Sequence, residues 1–148
     1  MYKHILIATD GSELATKALE HGLALAKREN AQVTVVTVTE PWSAFDLAHE
    51  ARQGRPDPIG NFQEMAAAAA NHILDGAAQR ANAHGVACNL LHVKDLHPAE
   101  GIVATAKDKG CDLIVMASHG RRGVSRLLLG SQAYKVLSRC GVPALIVR

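Results

Sequence analysis

The stretch "CDLIVMASHGRRGVSRLLLGSQAYKVLSRCGVPALIVR", Cys111 to Arg148, decides how the rest of the chain is read. Its apolar run "DLIVMA" has the length of a buried strand, "SQAYKVLSRCG" reads as a helix, and "VPALIVR" returns to a short apolar run. Strand, helix and strand in that order form the unit of a parallel sheet. Between the first strand and the helix lies "SHGRRGVSRLLLGS", a loop flanked by glycines and carrying Arg121, Arg122 and Arg126. Glycines let backbone amides approach phosphate oxygens, and a helix beginning near Ser131 offers unpaired N–H groups and a positive dipole end. The bland alternative is that Ser131 caps the helix and the arginines are solvated. Residue types alone do not separate the two.

Upstream, the same alternation repeats. "HILIA" (His4 to Ala8) is a strand, and "SELATKALEHGLALAKREN" is a helix with Leu14, Ala15, Ala18, Leu19, Leu23 and Ala26 on one face. "QVTVVTV" is the second strand and "FQEMAAAAANHILDGAAQRANAHG" the second helix. "VACNLLHV" is a third strand, and "HPAEGIVATAKDKG" a helix bracketed by Pro98 and Gly110. The first, fourth and fifth strands are apolar at nearly every position, which predicts burial on both faces. Right-handed crossovers then give an α/β, doubly wound sandwich of five parallel strands with helices on both faces. Ligands of such sheets bind beyond the carboxyl ends of strands, where the winding reverses. The strands ending at Asp10 and Ser118 are the predicted walls of that crevice.

The 148 residues suit one domain, 1–148, with residues 39–61 as an irregular segment and a candidate lid. Trp42 and Phe45 lie in that segment and are candidates to fold over a ligand. A formal net charge of +2 argues against a surface built for nucleic acid or an anionic membrane. Three scattered cysteines argue against a disulfide framework, and no run approaches the roughly 18 apolar residues of a membrane span. The expected location is cytoplasmic.

Common enzyme motifs are missing. There is no G-x-x-x-x-G-K-[ST] loop, no G-x-G-x-x-G after the first strand and no G-x-S-x-G elbow. The histidines and cysteines show no zinc-like spacing.

The C-terminal third and the opening "HILIATDGS" carry a resemblance to the universal stress protein family, which extends over essentially the whole chain. Nucleotide-binding members of that family have G-x-x-G-x9-G-[ST] in this region. Gly120, Gly130 and Ser131 match its last three positions, and Ala117 replaces the first glycine. A strand-like backbone at Ala117 tolerates the extra methyl; a positive φ there would not.

The resemblance implies that Asp10 contacts adenosine, although Asp10 or Ser12 capping the first helix is an alternative. It also implies that the backbone at Val38 reads the adenine edge, with Ala8, Thr9 and Met116 around the pocket. Gln132 joins Ser131 at the phosphate end, and Arg121 and Arg122 screen phosphate charge. The implied ligand is ATP with Mg2+ or Mn2+, the metal ligands being unknown. The implied partner is a second copy of the chain, joined through the C-terminal strand with Leu145 and Val147 in or beside the contact. The expected function is a dimeric stress-response sensor or regulator. Alternatives are a relative acting through protein contacts alone, or a slow ATPase or self-phosphorylating protein. Efficient catalysis is not expected.

Overall fold

The computed structural model describes residues 1–121 and 128–148. Chain order is β1 (His4–Ala8), α1 (Glu13–Glu29), β2 (Gln32–Thr39), α2 (Ala44–Arg52), α3 (Pro58–His84), β3 (Cys88–Lys94), α4 (Pro98–Asp108), β4 (Leu113–Ala117), α5 (Ser131–Arg139) and β5 (Ala144–Val147). The five strands form one sheet in the order β3-β2-β1-β4-β5, and every pairing is parallel. Strand addition runs one way from β1 to β3, then resumes on the other side of β1 with β4. The winding therefore reverses between β1 and β4, as expected.

Side-chain parity along the strands explains their unbroken apolar runs. Odd-numbered Ile5, Ile7, Val33, Val35, Leu113 and Val115 pack against α1 and α3 through Leu19, Leu23, Leu74 and Ala77. Even-numbered Leu6, Ala8, Val36, Ile114 and Met116 pack against Ile102 and Ala106 of α4 and Val136 of α5. Successive residues of a strand face opposite ways, so a strand covered by helices on both sides has no solvent-facing position, and even its threonines, Thr34 and Thr37 of β2, are buried. Burying each such branched side chain contributes about 1.5–3 kcal/mol.

Asp112 ties the start of β4 to the start of β1. Its carboxylate accepts the N–H groups of Lys3 (2.8 Å) and His4 (3.0 Å), and its own N–H donates to the His4 carbonyl at 2.9 Å. Burial pushes this carboxyl up, but the backbone N–H bonds outweigh burial and hold its pKa below the ordinary value.

Three expectations need correction. Residues 39–61 are not irregular throughout. Ser43 starts α2 with a capping box, in which its hydroxyl accepts from the Asp46 N–H and Asp46 accepts from the Ser43 N–H. The helix expected from Phe62 begins at Pro58, with Asp57 as its N-cap and proline in its first turn. Strand β5 lies at the sheet edge, so it is not buried on both faces. Leu145 is 39% exposed, whereas Val147 is packed in the core with Ala117 and α1.

Candidate functional site

The β1–α1 turn is built from short-range polar contacts. The Thr9 hydroxyl accepts from the Gly11 N–H at 3.2 Å, and Gly11 has φ 77°, a conformation that favours glycine. Ser12 is the N-cap of α1, its hydroxyl accepting from the Ala15 N–H. Asp10 accepts the Ser12 N–H on Oδ1 at 2.9 Å and the Arg121 N–H on Oδ2 at 2.8 Å. Its carboxylate thus holds the end of β1 to the chain leaving β4. The Asp10 side chain does not cap α1; it joins the two sides of the switch point.

That junction explains one motif glycine. A Cβ at Gly120 would stand 2.8 Å from Asp10 Oδ2. Gly130 is more tightly placed. Its N–H donates to the Ser118 carbonyl at 2.9 Å, and a Cβ there would lie 2.5 Å from the same oxygen. The chain that departs at Ser118 returns to it at Gly130 and enters α5 immediately.

Gly130 is the N-cap of α5, and among the described residues no side chain bonds the cap. Ser131 is therefore the first helical residue, which settles the capping alternative against it. The first-turn N–H groups of a helix have no acceptor within it, and they carry the positive end of its dipole. Gln132 also reaches a neighbouring helix. Its side-chain oxygen accepts the Ala99 N–H at 3.1 Å, so α5 caps the start of α4. Ala117 lies within β4, pairs with Val147 and is not among the positive-φ residues, so its methyl occupies an ordinary strand position.

Beyond the strand ends lies a cavity of about 690 Å³, within the range of small-molecule sites. Ala8, Thr9, Asp10, Val38, Met116, Ala117, Gly120, Arg121, Gly130, Ser131 and Gln132 all line it. Arg122 and Arg126 lie outside the described residues. Sequence reasoning missed other walls: Thr37, Thr39 and Glu40 of the β2 end, Pro98 and Ile102 of α4, and Ala66, Ala69, Ala70 and Ile73 of α3. The last four are spaced as one helix face, a signal present in the alanine run of α3. Trp42 and Phe45 are not among the lining residues; they are 41% and 78% exposed at the start of α2.

The cavity's polar groups are unevenly placed. Near β2 and α4, Glu40 bonds His97 at 3.0 Å and Thr39 bonds His92 at 2.7 Å. Burial, with help from Lys94, lowers the His92 pKa and favours its neutral ring. On the β4 side, His119 bonds the buried Ser118 hydroxyl at 2.9 Å. Among the described residues, no group of three or more His, Cys, Asp or Glu could hold a metal ion. Mg2+ often binds through one or two carboxylates with substrate phosphates and waters. Among the described residues the cavity offers no such carboxylate set for a metal held by protein alone.

Known proteins place this arrangement in a family. The model of the universal stress protein family matches residues 1–148. The chain is 30% identical over 149 residues to universal stress protein YxiE of Bacillus subtilis strain 168, covering all of both chains. It superposes on the solved structure of MJ0577, a universal stress protein of Methanocaldococcus jannaschii. There the TM-score is 0.79 and the identity 28%, over 99% of this chain and 96% of that one. A universal stress protein solved in complex with cAMP has the same fold, with a TM-score of 0.73 and 24% identity over 99% of this chain and 97% of that one. Sequence, topology and relatives agree along the whole chain, which belongs to the universal stress protein family.

Proposed function

We propose that this chain binds ATP in the switch-point cavity and acts as a dimeric, cytoplasmic stress-response sensor or regulator. The observation that carries the reading is the convergence of Asp10, Gly120, Gly130 and Ser131 on one cavity at the reversal between β1 and β4. Phosphates would lie against the first turn of α5, where Ser131 supplies a hydroxyl, backbone N–H groups point outward and Arg121 supplies positive charge. Adenosine would extend toward Val38, with Asp10 beside it. Ala117 is compatible with this pose because its methyl follows the strand. Mg2+ or Mn2+ would accompany the phosphates and neutralise their charge. The cAMP-bound neighbour supports adenine nucleotides as the ligand class. The three free cysteines suit a reducing compartment.

Efficient hydrolysis is outside the proposal. His119 is engaged by Ser118, and Asp10 already accepts two backbone N–H groups.

Calorimetric titration of nucleotide-stripped protein with ATP, with and without Mg2+, tests the reading. Micromolar binding strengthened by Mg2+, or adenine nucleotide extracted from freshly purified protein, is the expected result. Absence of binding by folded protein would reject the nucleotide reading and favour a module that acts through protein contacts.

A further inference from the structure

Helix α2 is packed the wrong way round for an ordinary amphipathic helix. Its one buried side chain is Glu50, 7% exposed, while Phe45 on the same helix is 78% exposed. Glu50 faces a second cleft of about 500 Å³ between α2 and α3, lined by Phe45, Asp46, His49, Phe62, Met65 and Ala66. Its Oε2 is buried and, among the described residues, accepts no hydrogen bond. The Arg55 guanidinium forms a long ion pair with that oxygen at 3.9 Å, beyond hydrogen-bond reach, from a side chain that is 55% exposed.

A carboxylate in that position is costly in three ways. Burial removes its water, an unfilled acceptor forfeits a hydrogen bond, and the C-terminal end of α2 adds negative potential. Asp46, one turn back on the same helix, adds a further negative charge at the cleft. A cation resolves all three, and the aromatic rings of Phe45 and Phe62 favour one that also has an apolar body.

We propose that this cleft binds an organic cation: a primary ammonium or guanidinium group on an aryl or alkyl body, with the charged group on Glu50 and the body between Phe45, Phe62 and Met65. The cleft shares only Ala66 with the switch-point cavity among the described residues, so this site does not depend on the nucleotide reading.

The test is a titration of the full chain with 2-phenylethylammonium, followed by backbone amide NMR shifts, with neutral 2-phenylethanol as control. Saturable shifts are expected over residues 45–50 and 62–66, with the alcohol binding at least tenfold more weakly. Glu50→Gln should weaken ammonium binding at least tenfold. Met65→Trp fills the cleft while keeping the carboxylate, and should abolish binding even if Glu50→Gln does not fold. Equal affinity for the alcohol, unchanged affinity in folded Met65→Trp, or no saturable shifts in these segments would overturn the proposal.

Discussion

A single methyl group at position 130 would lie 2.5 Å from the Ser118 carbonyl oxygen, in a place where the backbone is already bonded to that oxygen. Gly130 is therefore required for the return of the chain to Ser118, and on the proposed function it also admits phosphate to α5. Gly130→Val is expected to abolish ATP binding and to lower stability by roughly 1–3 kcal/mol, because the Ser118 contact must open. Calorimetry paired with thermal denaturation checks both effects; retained affinity would contradict the proposed phosphate position. Ser131 behaves differently. It does not cap α5, so Ser131→Ala should change stability by less than about 0.5 kcal/mol. The same variant should weaken ATP binding by about 1 kcal/mol through loss of a hydroxyl contact. A stability loss with unchanged affinity would reverse that assignment. Both positions were visible as a motif, but the reason for each emerges only from its neighbours.

Helices α1 and α3 are joined at the surface by one carboxylate with two partners. Glu20 Oε2 meets His84 Nε2 and Oε1 meets Arg80 Nη1, each at 2.6 Å. Hydrogen bonds from His84 first, then Arg80, hold the Glu20 pKa below its ordinary value of 4.5. A depressed carboxyl pKa stabilises the folded state above the unfolded pKa, and that contribution is lost as pH falls through the folded value. Glu20→Gln should therefore cost about 0.5–1 kcal/mol near neutral pH, the scale of a screened surface pair. Denaturant melts of wild type and variant should converge as pH falls below 4.5; a pH-independent gap would show that packing, not charge, is responsible. The same scale shows what pattern reading overlooked. The capping box at "SAFD" and the Asp57-Pro58 start of α3 were legible locally, yet the prolines and glycines around them suggested an irregular connection. Gln132 capping α4 was not legible, because its partner Ala99 lies on another helix.

The whole molecule leaves β5 as an edge with its face partly open. Leu145 is 39% exposed, and Tyr134 and Leu137 of α5 are 65% and 42% exposed. An apolar edge of this kind favours pairing with a second copy. The wild-type chain should sediment as a dimer, and Leu145→Arg as a folded monomer; a dimer that survives the substitution would move the contact elsewhere. Val147 takes no part in this test, since it completes the core beneath α1. Residue types left the roles of Gly130 and Ser131 open, whereas alternating apolar strands and amphipathic helices sufficed to define the parallel sheet and its reversal at β1 and β4. Those features follow from periodicity and local backbone chemistry, which a single chain segment carries in itself. Only the tertiary structure decided that α3 lends its alanine face to the cavity, that Val147 is core while Leu145 is edge, and that Asp10 bonds the Arg121 N–H across 111 residues. Contacts between distant segments depend on how elements pack in space, and no local pattern encodes that distance.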